Sequence, residues 1–123
     1  MDKVVLVVDD DPDVCATLDF RLSSFGYTMI SAKDGKEACQ KAKELKPNLI
    51  LLDIGLSEES GLDILKELKM NTPDMIHKIP VIMLTGKEDL EKNCLEAGAA
   101  GYITKPFDLF KLKGTLSKFL TSS

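Results

Sequence analysis

The chain has 123 residues, of which 44% are hydrophobic and 29% charged, with a formal net charge of -4, as is typical of one soluble globular domain with a single core. No apolar run approaches the length of a membrane span and no signal peptide precedes the first predicted strand, so we expect a cytoplasmic protein without membrane contact. The charge is spread along the chain without a basic tract, which argues against direct contact of this domain with nucleic acid.

The first half of the chain alternates short apolar runs with helical patterns. A strand is predicted over Lys3–Val8, and the acidic run 9–11 leads to Pro12, a residue that suits the first turn of a helix. That helix ends at Gly26. The second strand is predicted at Tyr27–Ala32. A helix that opens on a capping-box pattern follows from Asp34 through Leu45, and the third strand, which is an unbroken apolar run up to its final acid, is predicted at Asn48–Asp53.

The second half continues the alternation. Ser60-Gly61 opens a third helix, whose exit from Met70 to Lys78 is long and polar, and Gly98 is the stop signal of a fourth. The remaining strands are predicted at Ile79–Leu84 and Ala100–Thr104. The remaining helices are predicted from about Glu88 to Ala97 and from about Asp108 to Leu120.

Five strands alternating with five helices predict one α/β domain over residues 1–123, with a parallel sheet that helices cover on both faces. Of the common doubly wound arrangements, the flavodoxin-like order 2-1-3-4-5 suits five strands, by likeness to known folds. Met1 lies just before the first strand, so we expect the chain to begin at a natural N-terminus. Cys15, Cys39 and Cys94 are odd in number and widely spaced, which indicates reduced thiols.

Polar residues follow the carboxyl ends of four predicted strands. In the order 2-1-3-4-5, Asp9, Asp10 and Asp53 converge on one crevice, with Thr85 and Lys105 at the neighbouring strand ends. Three carboxylates close together repel one another, and each raises the proton affinity of the others. A hard divalent cation removes the conflict, and Mg²⁺ takes only a few carboxylates from a protein. The sequence therefore predicts a magnesium site in this crevice.

A carboxylate beside such a metal indicates phosphoryl transfer onto Asp53, since a carboxylate nucleophile can form an acyl phosphate. The charge to be stabilised lies on the equatorial oxygens of the transferring group. We expect Mg²⁺ to hold one oxygen, the Lys105 ammonium a second and the Thr85 hydroxyl a third. Each residue also has a plainer interpretation, with Asp10 or Asp11 as a helix cap, Thr85 as a strand-end residue and Lys105 as a solvated charge.

Taken together, these motifs resemble the receiver domain of two-component response regulators, of which the chemotaxis receiver is the minimal form. The resemblance covers essentially the whole chain and depends on motifs that occur in a fixed order: Asp9-Asp10 after the first strand, Asp53 closing the third, Ser60-Gly61 beyond it, Thr85-Gly86 closing the fourth, and Lys105-Pro106-Phe107 after the fifth.

The resemblance implies that Asp53 accepts a phosphoryl group from the phosphohistidine of a sensor histidine kinase or of a phosphotransfer protein. It also implies that Asp9 and Asp10 bind Mg²⁺ together with Asp53 and the backbone carbonyl of Gly55. Such a domain is a phosphoacceptor that assists its own phosphorylation and dephosphorylation, and it is not classed as an enzyme.

The resemblance further implies a switch. Thr85 would move toward the acyl phosphate, and Tyr102 would turn inward and remodel the face made by the fourth predicted helix, the fifth strand and the last helix. The partner at this face would be a downstream output protein or output domain, with a phosphorylation-dependent homodimer as a further possibility. The plainer interpretation of Tyr102 is a half-buried strand aromatic.

Two other functions fit parts of the sequence. A receiver-shaped interaction module that is never phosphorylated would have the same fold, although it should lack one or more of the acceptor residues. A haloacid-dehalogenase-like phosphatase also uses an aspartate nucleophile with Mg²⁺, but it needs a second acid two residues on, where this chain has Gly55.

Overall fold

The computed structural model describes residues 3–53, 61–70, 78–85, 95–104 and 109–120, with the backbone alone at Thr85 and Leu109. Over these residues the chain alternates strands and helices: β1 (Val4–Val8), α1 (Pro12–Ser24), β2 (Thr28–Ala32), α2 (Gly35–Leu45), β3 (Leu49–Asp53), α3 (Gly61–Met70), β4 (Val81–Thr85), β5 (Gly101–Thr104) and α4 (Leu109–Leu120). Each lies within about two residues of its predicted bounds, the usual scatter of element ends. The helix predicted from about Glu88 to Ala97 falls largely outside the described residues, although residues 95–96 are helical.

The strands form a single sheet in the order β2-β1-β3-β4-β5, and all four neighbouring pairs are parallel. This confirms the predicted topology. In the register, Val8 pairs with Leu52, Asp53 with Leu84 and Thr85 with Thr104. The carboxyl ends of β1, β3, β4 and β5 therefore meet at one edge of the sheet. Among the described helices, none is long and apolar enough to cross a membrane.

The central strands are buried on both faces, as their unbroken apolar runs predict. Leu49 and Leu51 of β3 belong to the core cluster that lies under α1 and α4. Ile50 and Leu52 point the other way, into the cluster under α2 and α3. Alternation along one strand thus supplies both halves of the core, and Asp53 is placed where the last residue of that strand reaches the edge of the sheet.

The N-terminus of α1 is capped by the acid that precedes it. Asp11 has an extended backbone, and its side chain accepts a hydrogen bond from the Asp13 N–H at 2.9 Å. Pro12 occupies the first turn, where the N–H that proline lacks would have no partner in the helix. Asp11 is therefore the helix cap of the acidic run, which leaves Asp9 and Asp10 for other roles.

The capping box predicted at α2 is only half confirmed. Asp34 accepts a hydrogen bond from the Glu37 N–H at 2.8 Å, as a capping box requires. The side chain of Glu37, however, accepts from the N–H of Lys33 and not from that of Asp34. The carboxylate reaches one residue further back along the chain, to the residue that follows β2.

Lys69 connects the end of α3 to two segments that are distant in sequence. Gly98 has a φ of +106°, as expected for a residue that ends a helix, and a Cβ added there would lie 3.1 Å from Cγ of Lys69. The Lys69 ammonium donates a hydrogen bond to the carbonyl oxygen of Ile79 at 3.0 Å. The aliphatic part of the side chain therefore packs on Gly98, and its charged end lies near the start of β4.

This burial predicts a pH dependence of stability. Desolvation lowers the pKa of Lys69 below its ordinary value of 10.5. Because the folded pKa is lower than the unfolded one, the stability linked to Lys69 is present above pH 10.5 and is lost as the pH falls through the folded pKa. In urea unfolding, the stability difference between the wild type and Lys69→Met should move in favour of the wild type as the pH rises from neutral toward 10.5.

Lys66→Met, on the exposed side of the same helix, is the control that reports the general effect of losing a lysine from α3. A difference between the wild type and Lys69→Met that stays constant over this pH range, after the control is subtracted, would contradict the prediction.

Candidate functional site

Three carboxylates meet at the carboxyl ends of two adjacent strands. Asp9 directly follows β1 and Asp53 is the last residue of β3. Asp9, Asp10 and Asp53 each offer a carboxylate oxygen, and these atoms all lie within 4.8 Å of one another. Asp9 and Asp53 are buried, with 3% and 8% of their surface exposed, whereas Asp10 is exposed. The structure therefore brings together the three acids that the sequence predicts at one crevice.

Backbone contacts fix the position of Asp9. Its N–H donates to the carbonyl oxygen of Ala32 at 3.0 Å, which continues the β1–β2 ladder by one residue. Its Oδ1 accepts a hydrogen bond from the Asp11 N–H at 2.9 Å. The backbone turn between β1 and α1 thus holds the Asp9 carboxylate in place, since the hydrogen-bonded N–H belongs to the residue that caps the helix.

The charge in this crevice suits a hard cation. Two buried carboxylates and an exposed one lie close together, and their mutual repulsion is weakly screened where they are buried. Oxygen atoms are the ligands that Mg²⁺ prefers, and Mg²⁺ usually keeps several water molecules, which the exposed side at Asp10 can admit. The donor set therefore fits a partly hydrated divalent cation.

Cys15 lies beside this crevice, and this placement was not predicted from the sequence. The Cys15 thiol donates to the carbonyl oxygen of Asp9 at 3.5 Å. Burial, and then the nearby Asp9, Asp11 and Asp10 charges, raise the pKa of the thiol above its ordinary value of 9.0. The thiol is therefore protonated at neutral pH. Cys15 and Cys39 are both free cysteines, in line with the prediction of reduced thiols, and Cys94 lies outside the described residues. Position 15 lies one helical turn after Asp11, so helix geometry was the signal that could have placed it.

Several predicted site residues lie at or beyond the limits of the described chain. Thr85 is the last residue of β4 and pairs with Thr104, so its backbone is at the same edge as the acids. Its side chain, Lys105 and Gly55 are outside the described residues. Their predicted roles toward the phosphoryl group and the metal stay predictions.

Tyr102 is half-buried on β5 and packs against the core cluster under α2 and α3. It also borders a cleft of about 430 Å³ between β5 and α4, whose other lining residues are Ile103, Thr104, Lys111, Gly114 and Thr115. This position fits both interpretations of Tyr102, as an aromatic residue that only packs against the core and as a side chain that changes its orientation.

Known proteins resemble the chain over nearly its whole length. The family model for the response regulator receiver domain matches residues 5–117. The chain is 38% identical, over 100% of its own length, to the alkaline phosphatase synthesis transcriptional regulatory protein PhoP of Bacillus subtilis, and it covers 50% of that protein. It thus spans about half the length of this curated relative.

Solved structures show the same arrangement of strands and helices. A response regulator of Chloroflexus aurantiacus, described as putative, has a TM-score of 0.91 at 28% identity, with 99% of this chain and 100% of that one covered. The receiver domain of the sensor histidine kinase PA1611 from Pseudomonas aeruginosa has a TM-score of 0.86 at 27% identity, with 99% and 100% covered. That structure was solved with a magnesium ion coordinated in its active-site cleft.

Proposed function

This chain belongs to the response regulator receiver domain family, and we propose that it is the phosphorylation-controlled switch of a two-component system, with Asp53 as the phosphoacceptor. One observation supports this assignment above the others: carboxylate oxygens of Asp9, Asp10 and Asp53 lie within 4.8 Å of one another at the ends of neighbouring strands. We also propose that residues 1–123 form a single receiver domain.

Asp53 suits the acceptor role because of where β3 ends. The strand is buried along its length, and only its last residue carries a carboxylate. In the proposed reaction an oxygen of Asp53 bonds to phosphorus while the bond from phosphorus to the imidazole nitrogen of a donor histidine breaks. The products are an aspartyl phosphate and an imidazole that takes up a proton. The donor would be a sensor histidine kinase or a phosphotransfer protein, as family membership suggests.

We propose that Asp9, Asp10 and Asp53 hold Mg²⁺, with the backbone carbonyl of Gly55 as a further ligand. When bound, the ion would offset the repulsion among the carboxylates and neutralise charge on the transferring group. Mg²⁺ in the active-site cleft of the PA1611 receiver domain supports this choice of ion.

The remaining roles concern charge and readout. Lys105 would stabilise a second phosphoryl oxygen, and the Thr85 hydroxyl would contact the third. Tyr102 would then change its orientation at the cleft beside α4 and so alter the surface offered to an output protein or an output domain. A phosphorylation-dependent homodimer through this face is part of the same proposal.

Metal removal tests the proposal directly. The protein should gain the mass of one phosphoryl group when it is incubated with acetyl phosphate and Mg²⁺, and it should gain none when a chelator is added. Intact-mass spectrometry measures the adduct, and a parallel assay of donor consumption detects an aspartyl phosphate that hydrolyses too fast to accumulate. If neither adduct nor donor consumption is seen with Mg²⁺, the result would favour the receiver-shaped interaction module that is not phosphorylated.

A further inference from the structure

β2 forms one edge of the sheet and pairs with β1 alone among the described strands. The Thr28 N–H donates to the carbonyl oxygen of Lys3 at 2.9 Å, and the Ala32 carbonyl oxygen accepts from the N–H of Asp9 at 3.0 Å. The backbone N–H and C=O groups of Thr28 and Ala32 therefore point toward β1. Because backbone polar groups alternate in direction along a strand, those of Met29 and Ser31 point toward the open edge. Such a row of groups is a template for pairing with a further strand.

Two side chains of α2 contact the backbone of this edge strand near its carboxyl end. The Lys41 ammonium donates a hydrogen bond to the carbonyl oxygen of Ser31. Glu37 Oε1 accepts from the N–H of Lys33, the residue that directly follows β2, at 2.8 Å. The two side chains also form an ion pair, with 3.7 Å between Lys41 Nζ and Glu37 Oε2. One pair of residues, a single helical turn apart, thus occupies the outward carbonyl of Ser31, which an added strand would use, and the N–H that directly follows the strand.

We propose that the Glu37–Lys41 pair is an edge guard, which prevents β2 from pairing with β2 of a second copy of this chain. Strand addition uses backbone groups, and two β2 edges related by a twofold axis run antiparallel. Met29 and Ser31 of one copy would then lie opposite Ser31 and Met29 of the other. The outward N–H and C=O groups of each strand would therefore hydrogen-bond to those of the other strand. The two sheets would become one continuous sheet.

The Glu37–Lys41 pair opposes strand addition in two ways: it occupies backbone groups of the edge, and it places two charges where a partner strand would lie. The Lys41 and Glu37 side chains have 33% and 35% of their surface exposed. A strand that paired with β2 would displace this ion pair from the backbone or bury it, and burying charged groups is unfavourable unless their hydrogen bonds are kept. Neither Glu37 nor Lys41 belongs to the acidic crevice, so this role of the pair does not depend on phosphoryl transfer.

The test compares the double variant Glu37→Ala/Lys41→Ala with the wild type by analytical ultracentrifugation over a range of protein concentrations, without a phosphodonor. The variant keeps the net charge of the chain, since one acid and one base are removed. It should dimerise at roughly thirtyfold lower concentration than the wild type, the change expected when two backbone hydrogen bonds become available, one at the Ser31 carbonyl of each copy. Amide hydrogen exchange at Met29 and Ser31 should slow as the dimer forms.

The matched control is Gln40→Ala/Glu44→Ala. These residues have the same spacing on the same helix, their side chains hydrogen-bond at 3.2 Å, and both are exposed. This control should associate no more than the wild type. Lys41→Arg should also associate no more than the wild type, because arginine can donate to the Ser31 carbonyl and pair with Glu37.

Two results would overturn the proposal. One is a folded double variant whose association matches that of the wild type. The other is a variant that dimerises while the amides of Met29 and Ser31 exchange as they do in the monomer, since the contact would then lie elsewhere. If the double variant does not fold by circular dichroism, Lys41→Ala alone undergoes the same measurements, because it retains the Glu37 contact with Lys33.

Discussion

Asp53→Asn should abolish phosphoryl incorporation from acetyl phosphate in the presence of Mg²⁺. The amide has nearly the shape of the carboxylate, so β3 and its neighbours should keep their positions. An amide oxygen, however, carries no formal charge and is a poor nucleophile toward phosphorus, and the crevice also loses one of its three anionic ligands. Intact-mass spectrometry should show no adduct under conditions in which the wild type takes up one phosphoryl group.

Asp63→Asn is the matched control for this experiment. Asp63 is an exposed acid in the first turn of α3 and is not part of the acidic crevice. Its replacement should leave incorporation unchanged. An adduct on Asp53→Asn would contradict the assignment, and fragmentation of the modified chain would then show whether Asp9 or Asp10, whose carboxylates are the nearest in the crevice, is the acceptor.

The Asn variant also has an expected effect on stability. Removing one of three mutually repelling carboxylates should leave the metal-free protein at least as stable as the wild type, because charge repulsion in the folded state is reduced. Mg²⁺ should stabilise the wild type more than the variant, since a ligand that binds only the folded state stabilises it more the more tightly it binds. The two effects distinguish loss of the acceptor from loss of the fold.

The sheet could be predicted from the sequence because its signals are local. An apolar run such as 49–52 has no polar side to expose and must be buried on both faces. Alternation of such runs with helices leaves few possible topologies. The acids at 9, 10 and 53 could be placed together for the same reason, since carboxyl ends of neighbouring parallel strands lie at one edge.

What the sequence could not supply were contacts between side chains of different elements. Nothing in the periodicity of α3 indicates that Lys69 packs on Gly98. The capping-box rule predicts that a helix begins after Asp34, but not that the Glu37 carboxylate reaches the residue after β2. The acidic run 9–11 allowed either Asp10 or Asp11 as the helix cap, and only the geometry of the turn selects Asp11. Long side chains reach several neighbours, and tertiary packing decides among them.

Leu51→Ala should cause a large loss of stability. Leu51 is fully buried in β3, the central strand, in the core cluster under α1 and α4. In the register it lies between Val7 of β1 and Ile82 of β4. Truncating a buried leucine removes transfer free energy and leaves a cavity, with a total loss of about 3 to 5 kcal/mol in urea unfolding.

The upper part of that range is expected because the site has little freedom to collapse. The backbones on either side are fixed by strand pairing, and close-packed protein interiors relax only partly after a side chain is truncated. Domains of this size have a free energy of unfolding of about 5 to 15 kcal/mol, so the variant would keep a much smaller margin. Since Asp53 is only two residues further along the same strand, the loss should also loosen the acidic crevice.

Leu45→Ala separates burial from the chemistry of the substitution. Leu45 is the last residue of α2 and is 52% exposed, so the same change should lower the free energy of unfolding by less than about 1 kcal/mol. Equal effects of the two substitutions would mean that β3 can repack around a missing side chain. In that case the position of Asp53 would depend on the strand pairing of β3 with β1 and β4 alone, and not on the core beneath it.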